Sequence, residues 1–139
     1  MAKRQRQYIA VYGLIYNKNG EILIIKRAAH DTFPNVWELP GGTLEFGQDP
    51  KEEVQREISE ETNLFATIYQ VLSIASYIEE TNDTIVQAIR IAYYAKLENE
   101  AQVIQLSKDH SDYMWVSPYE LKNILVSDFL LRVLEEVRK

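Results

Sequence analysis

The chain has 139 residues, is 46% hydrophobic and carries a formal net charge of −6, which is enough apolar material for one buried core and the usual size of a single domain. That acidic balance, with a pI near 5.0, sets up a field that repels nucleic acid polymers and anionic membrane surfaces. The lack of cysteine excludes disulfides and thiolate metal sites and is compatible with a reducing compartment.

At the start of the chain, Lys3, Arg4 and Arg6 form the one basic cluster, expected to be a solvated terminal arm rather than a binding patch. No apolar run long enough to span a bilayer and no cleavable leader is visible, so a soluble, cytoplasmic protein is expected. From Tyr8 to Tyr16 the chain is rich in β-branched and aromatic residues and runs into the turn NKNG; Glu21 to Arg27 resumes the pattern, which predicts a hairpin. Residues 28–40 show no period and hold two of the four prolines, as expected of a loop with a short extended piece around Trp37. After an acidic segment, Ala66 to Ile78 and Thr84 to Leu97 predict a second hairpin across EETND. A polar loop from Glu98 to Ser111 leads to the strand YMWV. The run SPYE then has the form of a capping box starting a short helix at Ser117. A final helix from near Ser127 presents Phe129, Leu130, Val133, Leu134 and Val137 on one face. No repeat, linker or low-complexity segment divides residues 1–139, so a single domain is expected.

The segment Glu52 to Glu61, EEVQREISEE, places five glutamates in ten residues. Asp49 can cap a helix there, Pro50 suits its first position, and Glu52 stands where a capping-box glutamate reaches back. At about 100° per residue, Glu57, Glu60 and Glu61 share one face, with Glu53 one turn earlier. Like charges at i,i+4 cost about 0.2–0.5 kcal/mol each in an isolated helix, and Arg56 alone cannot neutralise five anions. Such a run is commonly no more than a solvated face. Here, however, only Val54 and Ile58 are apolar between Asp49 and Glu61, so packing alone offers this helix little. The preceding LPGGTLEFG also holds three of the five glycines, and glycines let backbone approach a ligand. Oxygen ligands of this kind select Mg²⁺ or Mn²⁺, which in turn bind phosphates.

Gly42 to Leu64, GTLEFGQDPKEEVQREISEETNL, resembles the Nudix box, in which a glycine, a glutamate after five residues and, seven further on, R-E-U-x-E-E-x-G-U recur, with U a bulky aliphatic. Gly42, Arg56, Glu57, Ile58, Glu60, Glu61 and Leu64 fall in register. The approach W-x-L-P-G-G from Trp37 and the later WVSPYEL also look like the family. Gln48 stands where the family has a glutamate that helps organise the site, often by pairing with the box arginine, and Asn63 where it has glycine; asparagine is the next best residue for a left-handed helix end.

The resemblance implies an α/β (α+β) Nudix fold, a mixed β-sheet sandwiched between helices. It implies Mg²⁺- or Mn²⁺-dependent hydrolysis of a phosphoanhydride bond in a small nucleotide, such as ADP-ribose, a sugar nucleotide or a nucleoside triphosphate. Glu57, Glu60 and Glu61 would hold metal, Arg56 would orient Glu57, and Gly41 and Gly42 would support the loop. Glu57 or the later acid Asp109 would be general base, with Glu79 and Glu80 as weaker candidates. Arg27, at a strand end, could bind a phosphate or be an ordinary surface cation. Phe33, Trp37, Tyr113 and Trp115 could stack on a base or fill the core. His30 and His110 are too few and too separated for a zinc site and anchor no reading. The expected partner is a small-molecule nucleotide, without nucleic acid polymer or membrane, and a homodimer stays open. A catalytically weak nucleotide-binding sensor or regulator is the alternative, supported by Gln48 alone.

Overall fold

The computed structural model describes residues 2–121 and 123–139. In chain order the elements are β1 (Arg4–Tyr16), β2 (Ile22–Arg27), β3 (Trp37–Glu38), β4 (Gly41–Leu44), α1 (Pro50–Thr62), β5 (Ala66–Glu80), β6 (Thr84–Leu97), β7 (His110–Val116) and α2 (Asp128–Val137). They form a curled mixed sheet in the order β3-β2-β1-β6-β5, with β4 added to β1 and β7 to β2. The expected mixed sheet between helices is what the chain forms. Among the described residues no helix is long and apolar enough to cross a membrane.

The centre of the sheet is the parallel ladder between β1 and β6, unbroken from Arg4 opposite Thr84 to Tyr16 opposite Lys96. Alternation along β1 divides the core in two. Ala10, Tyr12 and Leu14 join Ile22, Ile24, Leu39, Phe129 and Leu130 on the α2 side. Val11 and Ile15 join Leu23, Ile25, Val54 and Ile58 on the α1 side. Between those two, Gly13 lets α1 lie close: a Cβ there would come within 2.7 Å of Ile58 Cδ1.

Three expectations change. The first hairpin closes through one registered pair, Tyr16 with Ile22; beyond it the strands part, because β6 and β4 take the two edges of β1 while β7 and β3 take those of β2. The basic arm is not a free tail either. Arg4 and Arg6 lie in β1, and Lys3 bonds Glu80 at 2.9 Å. At Ser117 the capping signal is spent on a turn, with Tyr119 N–H donating to Ser117 Oγ and Glu120 N–H to its carbonyl. No helix follows among the described residues there, since Asn123 turns left-handed (φ 60°) and Val126 bridges back to Trp37. The second hairpin, β5 with β6, is as expected. So is α2, where Ser127 Oγ caps Leu130 N–H and Phe129, Leu130, Val133 and Leu134 are buried.

Ile58 is 1% exposed and is one of two aliphatic anchors of α1. Ile58→Ala should cost about 2–5 kcal/mol through lost burial and a residual cavity. Urea unfolding measures this; a loss below about 1 kcal/mol would show that α1 is held by other contacts.

Candidate active site

Helix α1 begins and ends where its sequence directs. Asp49 accepts a hydrogen bond from Glu52 N–H at 3.2 Å, Pro50 occupies the first turn, and Asn63 closes the helix in the left-handed region (φ 63°) with its N–H on the Ser59 carbonyl. The carboxylate face looks toward β4. Gly41 N–H donates to Glu61 Oε1 at 2.8 Å. Gly42 lies directly against Glu57, where a Cβ would stand 2.8 Å from the carboxyl carbon. At Gly41 a Cβ would fall 2.2 Å from the Val11 carbonyl oxygen, so any side chain there would push β4 off β1.

Arg56 gathers the remaining charge. Its guanidinium donates to Glu53, to Glu57 at 2.8 Å and to Glu60. Glu53 is buried at 3% exposure, and the bonds from Arg56 hold its carboxyl below the usual range. Glu57 and Glu61 are pushed the other way. Burial raises Glu57 to about 7, helped by Glu53 and Glu60 and opposed by Arg56. Burial likewise raises Glu61 well above the usual range, against the bond from Gly41 and with the charges of Glu57, Glu38 and Glu60 adding to it. The last turn of α1 has no basic residue, so the negative helix end adds to this excess.

A second layer lies behind this face. Arg27 grips Glu38 through two bonds, Nε to Oε1 at 2.8 Å and Nη2 to Oε2 at 2.5 Å, with its guanidinium 5.6 Å from the Phe33 ring centre. Burial raises the Glu38 carboxyl, but His110 and Arg27 outweigh it and leave it below its ordinary value. His110 Nε2 stands 3.9 Å from Glu38 Oε1 and 3.8 Å from Glu61 Oε2. A cavity of 450 Å³ opens beside Gly41 and Gly42, walled in part by Tyr8, Tyr12, Phe33, Tyr77, Arg27 and Arg90. Arg90 donates to the Tyr12 and Tyr8 hydroxyls at 2.9 and 3.3 Å and lies over the Tyr77 ring.

The structure therefore brings together Gly41, Gly42, Arg56, Glu57, Glu60 and Glu61, with Arg27 on the same cavity. Asp109 stands apart: it is exposed and lies 3.5 Å from His30. Gln48 accepts the N–H of Glu45 at 2.7 Å in a reverse turn. Of the aromatics weighed from sequence, Phe33 lines the cavity, while Trp37 and Trp115 pack into the core. Glu38 and His110 also belong to the site, although sequence assigns no role to the first and only an excluded zinc role to the second, and Glu53 is an anchor of Arg56 rather than one more carboxylate of the face. Only Glu53, three residues before Arg56, had a local signal.

Among the described residues no three acidic or histidine side chains already stand in coordinating positions; Arg56 draws Glu57 and Glu60, and Gly41 holds Glu61. The donor chemistry nevertheless fits a hard divalent cation. The set is all oxygen, partly desolvated and short of positive charge.

A NUDIX domain model matches residues 6–136. The chain belongs to the Nudix family. Its members are pyrophosphohydrolases that generally use a divalent metal, and the helix, the paired glycines and the curled sheet described above are the Nudix arrangement. The crystal structure of a MutT protein from Methanosarcina mazei Go1 superposes with a TM-score of 0.74 at 29% identity, covering 100% of this chain and 99% of that one. An 8-oxo-dGTP diphosphatase of Escherichia coli K12 is 44% identical over 52 residues, 37% of this chain and 40% of its own length. An ADP-ribose pyrophosphatase of Methanocaldococcus jannaschii is 40% identical over 78 residues, 53% of this chain and 45% of its own. The chain thus spans less than half the length of these two curated relatives.

The raised carboxyls of the Nudix helix set a pH dependence. A glutamate whose pKa rises from 4.5 to about 7 on folding binds more proton in the native state, so stability is fully present below 4.5 and falls as pH rises toward 7. Metal-free protein should melt progressively lower across that window, and Glu57→Gln should flatten the decline. Melting curves at half-unit pH steps in EDTA measure it; an identical slope in the variant would remove Glu57 as a cause.

Proposed function

We propose that this Nudix protein hydrolyses a phosphoanhydride bond in a small nucleoside diphosphate derivative and depends on Mg²⁺ or Mn²⁺. The observation that carries this is the packing of two desolvated carboxylates, Glu57 and Glu61, onto the backbone of Gly41 and Gly42 at the edge of the 450 Å³ cavity. Glu57, Glu60 and Glu61 would hold the ions, which screen pyrophosphate charge and acidify water when bound. Arg56 fixes Glu57 from the solvent side and shares its cation with Glu53 and Glu60.

Burial raises Glu57 to about 7 in the metal-free protein, and a bound ion would lower it again; what recommends it as base is its place between the Arg56 guanidinium and Gly42. Glu57 is therefore the preferred base, with Asp109, exposed just before β7, as second candidate. Tyr8, Tyr12, Phe33 and Tyr77 offer the cavity aromatic surface of the sort that receives a base. Arg27 and Arg90 add positive charge to the same walls. Relatives named for 8-oxo-dGTP and ADP-ribose support a nucleotide of this size. The regulator reading rested on Gln48. Glu53 weakens it, because this buried carboxylate gives Arg56 an anchor without help from position 48.

Glu57→Gln, Glu60→Gln and Glu61→Gln should each leave the metal-free fold as stable or firmer, because repulsion falls, while lowering kcat by about 100-fold or more. Glu52→Gln, at the first turn, is the control and should keep wild-type turnover. Assays over a nucleotide panel in ¹⁸O water, with and without EDTA, test the whole reading. Label should appear in a phosphate product. Turnover unchanged in EDTA, or unchanged in the three inner variants, would refute it.

Gln48→Glu should alter the half-saturating Mn²⁺ concentration by less than about twofold, since Gln48 serves the Glu45 turn. A Mn²⁺ titration of activity decides this, and a large gain would mean that position 48 reaches the ions.

A further inference from the structure

His110 has no part in the function proposed above, yet its surroundings are those of a functional group. Its side chain is 5% exposed. Nε2 points between two carboxylates on different elements, Glu38 of β3 and Glu61 of α1, at 3.9 and 3.8 Å. Nδ1 is buried and has no hydrogen-bond partner among the described residues. A neutral imidazole carries one N–H and one bare nitrogen. Placing the N–H at Nε2 directs it at the two anions and leaves only a lone pair unmatched, the cheaper of the two arrangements.

The backbone holds the ring there from three sides. Gln105 N–H donates to the Thr62 carbonyl and Ser107 N–H to that of Glu61, so the approach to β7 is tied to the C-terminal end of α1. His110 N–H then donates to Ser107, and Ala28 N–H to the Asp109 carbonyl, which ties the same segment to the end of β2. His110 lies opposite Arg27 in the ladder, where the register shifts. The residue therefore sits at the joint between the Arg27–Glu38 pair and the carboxylate helix.

We propose that His110 is a positioning residue of the Nudix site: its Nε2 stands between Glu38 and Glu61, keeping Glu38 on Arg27 and Glu61 on the Gly41 amide. Without it, the carboxyls of Glu38 and Glu61, at 3.9 and 3.8 Å from Nε2, would lose the one donor placed between them. This inference rests on the metal-binding role proposed for Glu61. Outer-shell partners of metal-binding carboxylates and imidazoles typically carry 10–100-fold in metal affinity or activity.

The experiment compares His110→Leu, which keeps bulk without a donor, and His110→Gln, whose amide can reach the Nε2 position. Mn²⁺ binding to nucleotide-free protein is measured by calorimetry, beside kcat, KM and the melting temperature. His110→Leu should bind Mn²⁺ about 10–100-fold more weakly and lose kcat by a similar factor with little change in KM, and His110→Gln should recover most of both. Wild-type affinity and kcat in the leucine variant, or equal losses in the two variants, would overturn the proposal in favour of simple packing. Should the leucine variant not fold, ¹⁵N spectra of the wild-type imidazole decide: protonation at Nε2 with ring resonances that move on adding Mg²⁺ supports the role, and unmoved resonances overturn it. If wild-type protein itself binds no Mn²⁺, the proposed function falls and this inference with it. If wild type binds and the leucine variant matches it, only the inference falls.

Discussion

The contact of the Gly41 and Gly42 backbone with the carboxylates of α1 is the constraint from which the other features of the site follow. Gly41 can carry no side chain because the Val11 carbonyl occupies that space, and Gly42 none because Glu57 does. With both positions bare, β4 fits in register on β1, Val11 opposite Gly42 and Tyr12 opposite Gly41. The amide of Gly41 is then free to hold Glu61. The glutamates are thus brought out of water by backbone rather than by salt bridges, which raises Glu57 and Glu61 at the positions where negative charge would be used. Arg56 compensates on the outer side only.

Such a site is carried at the expense of stability, and the sheet supplies the reserve. A thirteen-residue parallel ladder with β6 fixes β1 along its whole length, and each face of β1 has its own helix and apolar cluster. Burial of Val54 and Ile58, at about 1.5–3 kcal/mol each, holds α1 down despite the repulsion along its polar face. Strain of this kind at a functional site, offset by ordinary packing elsewhere, is a recurrent trade.

Elements whose signals are local could be read from sequence. The caps of α1 and α2 lie within a few residues of what they cap, and β5 and β6 are long β-branched and aromatic runs joined by one short turn, although their register shifts twice between Ile68 and Ser73. The box register placed Glu57, Glu60 and Glu61 on one face without any knowledge of the fold. Pairing was harder, because an edge of β1 can be claimed by several strands and nothing near Tyr16 announces that β6, far along the chain, takes it. The Ser117 signal was locally sound and was overridden by the need of Val126 to reach Trp37. Glu38 carries no signal because charged residues are by default exposed; Glu53 reads only as one more carboxylate of the helix, and His110 only as an excluded zinc ligand. Their burial arises only when β3, α1 and β7 converge, and for His110 no feature of the neighbouring sequence hints at it.

The alternation of β1 has a consequence for how a protein of this kind can change over time. Tyr8, Ala10 and Tyr12 look into the cavity, while Val11 and Ile15 look toward the carboxylate helix. On the proposed function, recognition falls to even positions of β1 and the packing that seats the carboxylate helix to odd ones. A lineage could remodel the tyrosine wall, with Tyr77 and Arg90 beside it, and keep the packing that seats α1 on the other face, the two meeting at Gly41 and Gly42. One strand would let descendants trade one nucleotide for another while the bond they cut stayed the same.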